Sequence, residues 1–109
     1  MTMREFHWSP AEKKAARAAY DAALQTALAK VIAEFKAKAM AVTEPDDMWE
    51  IEDYLRQQRR KIDGIFDYRY SQLLFVFVQM IHLGYLSEEQ LAGLSDEKRE
   101  AVHFLLTGE

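Results

Sequence analysis

Arg56, Arg59, Arg60 and Lys61 crowd one short stretch of this chain, with Gln57 among them and Gln72 and Gln79 further on. Cations and amide donors of this kind are what a small dimeric helical enzyme of the chorismate mutase type uses to stabilise a rearranging dianion by preorganised charge. Such a pocket needs cations that converge from separate helices, whereas these fall within a turn or two of one segment. The same cluster raises the question of a nucleic-acid surface. Glu52 and Asp63 stand three or four residues from its members, where they can neutralise them, and no aromatic platform or recognised nucleic-acid motif accompanies it.

Other reactive side chains are dispersed. His7, His82 and His103 lack a second ligand at zinc spacing, and no nucleophile elbow, P-loop or glycine-rich phosphate cradle is present. Asp46, Asp47, Glu50, Glu52 and Asp53 crowd the start of one helix, where they complement its positive end and need no calcium or catalytic role. Trp49, Asp53 and Arg59 remain. Asp53 and Arg59 are six residues apart, too far to pair on one helix, so their partners are expected on another helix or another chain. Tryptophan and arginine are the residue types that most often anchor binding energy at interfaces.

The elements that must position these groups are well punctuated. Ser9-Pro10-Ala11-Glu12 supplies an N-cap serine, a proline for the first helical position and a glutamate placed to reach back. The helix that starts there runs unbroken to Thr43-Glu44-Pro45, with Tyr20, Leu24, Leu28, Val31 and Phe35 on one stripe at spacings of three and four. At ~1.5 Å per residue it spans about 45 to 50 Å, against a radius of gyration near ~13 Å for a compact domain of this length. One compact ball cannot cover that stripe, which predicts an elongated dimer. A second helix opens at Pro45-Asp46-Asp47, and Gly64 within it marks either a tight helix crossing or a slight break, of which the crossing is the expectation.

Leu73-Leu74-Phe75-Val76-Phe77-Val78 is ambiguous between buried strand and helix. Leu73, Val76, Phe77, Met80 and Ile81 continue a helical face, and no other segment offers a strand to pair with, so a helix is predicted. Gly84 sits where a left-handed terminus is wanted, with Leu86 for the contact beyond it. Ser87-Glu88-Glu89-Gln90 caps a short helix that stops near Gly93, and a last helix from Ser95 or Asp96 buries Val102 and Leu105.

A chain of 109 residues with 50% hydrophobic content suits one helical domain, residues 1–109. The expected division is an extended dimerising region over about 9–70 and a small helical head over about 71–109. The formal net charge of -4 gives no general attraction to nucleic acid or anionic lipid. Cysteine is absent, no apolar run follows Arg4, and no stretch approaches the ~20 residues of a membrane span, which together point to a cytoplasmic protein off the membrane.

The segment from Asp46 to Gly84 resembles the fluorescence recovery protein family. The matching residues are Asp46-Asp47, Trp49, Asp53, Leu55, Arg59, Ile62-Asp63-Gly64, Arg69, Phe75-Val76-Phe77, Gln79 and Gly84, in order and without gaps. The resemblance implies a small helical homodimer that is not an enzyme and needs no cofactor or metal. It implies that the chain binds the C-terminal domain of photoactivated orange carotenoid protein, or a related domain, and speeds its return to the resting state in photoprotection. It further implies that Trp49, Asp53 and Arg59 support the dimer interface and adjoining partner surface, and that Phe75 and Phe77 belong to a head that contacts the partner. Glu52 stands where the cyanobacterial pattern often has histidine, and Glu97, Glu100 and Ala101 stand where it looks more basic, which marks a divergent homologue. Beside that resemblance stand the chorismate mutase type of enzyme and a purely structural oligomerisation module.

Overall fold

The computed structural model describes residues 6–109, so Arg4, on which the reading of the N-terminus rests, lies outside the described residues. The described residues form four α-helices, α1 Pro10–Met40, α2 Pro45–Ile65, α3 Leu73–His82 and α4 Asp96–Thr107, with a 3₁₀ turn at Glu88–Leu91 and no strand. The Leu73–Val78 run is therefore helical, as its continuing face requires.

Local chemistry sets the helix ends. Ser9 Oγ accepts the Glu12 N–H and Glu12 Oε1 accepts the Ser9 N–H, both at 3.2 Å, which closes the capping box that starts α1. Asp47 Oδ2 takes the N–H groups of Thr43 and Glu44, each at 3.0 Å, at the start of α2. Those bonds, Thr43 first, hold the Asp47 carboxyl below its ordinary value. At the end of α3, Gly84 adopts φ 79°, and the N–H of Tyr85 reaches the carbonyl of Met80 at 2.9 Å while that of Gly84 reaches Ile81 at 3.0 Å. This is a Schellman terminus, and Leu86 beyond it is buried as expected.

At 31 residues α1 is about 46 Å long, and the molecule measures 54 × 28 × 23 Å with a radius of gyration of 17.1 Å, well above the ~13 Å of a compact domain. The core gathers at one end. It joins Trp8, Ala16, Ala19, Tyr20 and Ala23 to Ile65, Leu73, Leu74, Val76, Phe77, Met80, Leu86, Leu91, Leu94 and Val102. The head is thus not made by residues 71–109 alone, because the alanine-lined first half of α1 runs through it. The remainder of α1 projects from the head and folds back through α2 as a two-helix hairpin.

Two expectations are corrected here. Gly64 marks no crossing: a Cβ there would have nothing within 4 Å, and α2 simply ends one residue later. The close approach lies at Gly93 instead, where a Cβ would fall 2.5 Å from that of Ala15 on α1. In α4, Val102 is buried but Leu105 only partly so, and the second fully enclosed side chain is that of Lys98.

Candidate partner-binding surface

The hairpin is pinned near its middle by Tyr54, whose hydroxyl donates to Glu34 Oε2 at 2.7 Å under the ammonium of Lys38, 4.8 Å from the ring. Burial, with Glu34 adding to it, pushes Tyr54 up to about 12. Counting round from that contact shows what the hairpin leaves open. Leu28 and Phe35 lie about 100 to 120° on from Glu34, and Met48 and Leu55 about the same angle on from Tyr54. Because the two helices run antiparallel, equal rotations bring both pairs to one side of the hairpin. All four are exposed, as is Ile32 at 52%.

The stripe predicted on α1 therefore divides. Tyr20 is in the core, Leu24 and Val31 are half-buried, and Leu28 and Phe35 are exposed at 37% and 38%. Between the two helices, toward the head, lies a cleft of about 280 Å³ lined by Lys30, Glu34, Tyr54, Lys61 and Tyr85.

Each expected site residue has a definite place. Trp49 is 59% exposed near the hairpin tip, with Asp53 one turn on. Arg59 is exposed one turn beyond Leu55, beside the open apolar flank, while Asp53 points to the outer side of α2. The two charges are not brought together, and among the described residues neither makes an ion pair or hydrogen bond. Phe75 is 42% exposed on α3, whereas Phe77 is wholly buried. Residues two apart on a helix face nearly opposite ways, so Phe77 belongs to the core and is withdrawn from the partner surface.

The cations weighed for dianion chemistry stay apart. Arg56 pairs with Glu52 at 2.9 Å, Arg59 and Arg60 are exposed, and Lys61 lines the open cleft. A second depression, about 570 Å³ between the 3₁₀ turn and α4, is lined by Glu88, Glu89, Asp96, Arg99, Glu100 and His103 and is the wrong sign for an anion. No group of histidine or carboxylate side chains among the described residues could hold a metal ion, and no described helix is long and apolar enough to cross a membrane.

Sequence reasoning passed over Ile32, Met40 and Phe104, which are 52%, 89% and 55% exposed. It also passed over Lys98, although that residue sits four before Val102 on the buried face of its helix.

The family model described as photoprotection regulator fluorescence recovery protein matches residues 8–106. The fluorescence recovery protein of Synechocystis sp. PCC 6803 is 36% identical over 101 residues, 93% of each chain. The chain belongs to the fluorescence recovery protein family. Among solved structures, that of the Fremyella diplosiphon fluorescence recovery protein is similar with a TM-score of 0.85 at 32% identity, over 94% of this chain and all of that one. The Synechocystis structure gives the same TM-score at 35% identity, over 91% of this chain and 97% of its own. Its relatives are named as regulators, and the all-helical architecture is the one they share. A structure of an arginine-to-lysine variant of the Synechocystis protein matches equally well.

Proposed function

We propose that this fluorescence recovery protein family member is a cofactor-independent, non-enzymatic regulator that acts in the cytoplasm as a homodimer. It binds the C-terminal domain of photoactivated orange carotenoid protein, or a related domain, and speeds that partner's return to rest. A regulator of this kind needs no chemistry of its own, only a higher affinity for one conformation than for the other, which shifts the population by that difference. The observation that carries the reading is the whole-chain family match over residues 8–106. The surface agrees with it: Trp49 and Phe75 are large, apolar and exposed.

In this reading the open flank of the hairpin, Leu28, Ile32, Phe35, Met48 and Leu55, is covered by the same flank of a second copy. Arg59, at the edge of that flank and without an ion pair or hydrogen bond among the described residues, then finds a partner across that contact, whereas Asp53, turned away from it, lies with Trp49 on the adjoining partner surface. Phe75 on the head meets the regulated protein, with Trp49 at the join of dimer and partner surface.

The test is the dark recovery of photoactivated orange carotenoid protein followed by absorbance, with and without the purified chain and with no added cofactor. Faster recovery, slowed by Phe75→Ala, is expected. The acidic Glu97 and Glu100 on the last helix predict weaker action at low salt with partial rescue as salt screens the repulsion. An intact dimer that neither binds the isolated C-terminal domain nor changes recovery at any ionic strength would overturn the partner assignment.

A further inference from the structure

The head closes around a buried charge. Lys98, in the first turn of α4, is 3% exposed. Its ammonium donates to Glu12 Oε2 at 2.8 Å and to the His7 carbonyl at 2.6 Å, and stands 4.8 Å from the Trp8 ring and 5.5 Å from that of Phe6. Glu12 is equally engaged: Oε1 takes the N–H of Ser9, and Oε2 takes the N–H of Ser95 at 3.0 Å as well as Lys98. Ser9 is the N-cap of α1 and Ser95 that of α4. One carboxylate thus joins two helix starts, and one ammonium ties both to the segment before α1.

That segment, residues 6–9, has no regular structure. It is ordered by Lys98, by the capping bond from Ser9, and by Trp8, which is 7% exposed and meets the Tyr70 ring at 5.3 Å. A buried ion pair is a weak source of net stability, since apolar groups of the same shape often do as well, but breaking one member leaves the other uncompensated. Its better-attested use is to select one arrangement over its neighbours.

We propose that residues 6–9 form a clasp closed on Lys98, which holds the start of α4 against α1 and opens as a unit without unfolding the hairpin. Lys98 is then a positioning residue for the head, whose outer side carries the exposed Phe75 and Phe104. The inference does not depend on the identity of the partner.

Hydrogen exchange of the full chain, read by mass spectrometry, tests it. Lys98→Met is expected to speed exchange in residues 6–9 and in the first turn of α4 by about tenfold or more, with residues 28–62 unchanged. Glu12→Gln should loosen the same two segments, and E12Q/K98M should exchange there no faster than K98M, because both substitutions break the same ion pair. Faster exchange throughout head and hairpin alike, or none in either segment, would overturn the clasp. Should K98M fail to fold, E12Q decides alone: loosening confined to the two segments supports the clasp, and uniform loss of protection refutes it.

Discussion

Head and hairpin share one long helix, α1, and use it to opposite ends. Where α1 passes through the head it carries Ala16, Ala19 and Ala23, all buried, and α3, α4 and the segment between α2 and α3 close over it. Tyr20 there is packed edge-on by Phe66 and Tyr68, with Arg17 set over the Tyr68 ring at 4.7 Å. Beyond Ala27 the same helix carries larger apolar groups that pack chiefly beside α2, and Leu28, Ile32 and Phe35 stay exposed on one flank. Small residues mark where a chain closes on itself, and large exposed ones mark where it awaits a second surface.

The largest effect that distinguishes the two regions is expected from a pair of phenylalanines. Phe77→Ala should destabilise the fold by about 3 to 5 kcal/mol, because it empties a fully buried site in the head. Phe75→Ala, two residues away but half exposed, should change stability by no more than about 0.5 kcal/mol while slowing recovery of the partner. Urea unfolding of both variants reads the contrast, and similar losses for the two would erase the distinction between core and surface on α3.

In the hairpin the expected loss is of assembly, with the fold of each chain retained. Leu28→Asp should weaken self-association by about 2 kcal/mol, roughly thirtyfold in Kd, with helix content unchanged by circular dichroism. Arg59→Ala should act in the same direction, since that side chain borders the flank and makes no ion pair or hydrogen bond among the described residues to lose, while Asp53→Ala, turned away from the flank, should leave self-association unchanged. Sedimentation equilibrium that shows Leu28→Asp and Arg59→Ala as wild type would return both residues to ordinary solvated surface.

Acid should act on the head first. The Lys98 ammonium, followed by the backbone N–H groups of Ser95 and Ser9, holds the Glu12 carboxyl at about 2 against an ordinary 4.5, despite an opposing push from burial. A carboxylate whose pKa is lowered by folding contributes stability that is fully present above its unfolded value. The contribution then falls away as pH drops from about 4.5 toward 2. Unfolding midpoints across that window should decline less steeply in Glu12→Gln than in the wild type. Equal slopes would deny the pairing its role.

A further contrast lies between two glycines. Gly93→Ala should destabilise by about 1 to 3 kcal/mol, since its Cβ meets that of Ala15. Gly64→Ala, helical and with open space around it, should stabilise α2 by up to ~1 kcal/mol. Thermal unfolding of the two variants should therefore shift in opposite directions.

What could be read from the chain alone follows from how far each cause reaches along it. Ser9 with Glu12, and Gly84 with Leu86, are local devices whose partners lie within a few residues, so the ends of α1 and α3 were legible. The length of α1 against the size of a globule was enough to predict the elongated shape. Lys98 was not legible as a buried residue, because Glu12 and the His7 carbonyl that justify its burial lie 86 and 91 residues away in sequence. The split of Phe75 from Phe77 was legible in the same way, because Leu73, Val76, Phe77, Met80 and Ile81 mark one face of α3 and leave Phe75 off it, although the family pattern offers both as partner contacts. Gly64 and Gly93 exchanged their expected roles for a similar reason: a glycine shows that space is wanted, and only tertiary packing shows by whom. Trp49, Asp53 and Arg59 rest on the family pattern alone, whereas the apolar flank beside Arg59 emerged only when both helices of the hairpin could be counted round together.

The account rests on the claim that the hairpin flank is one half of a contact with a second copy. Light scattering on the eluting protein at micromolar concentration, combined with small-angle scattering of the same peak, measures mass and shape together. The predicted result is twice the chain mass of 12.7 kDa in a particle longer than the 54 Å of the single chain. A monomer whose radius of gyration stays near 17.1 Å would contradict it.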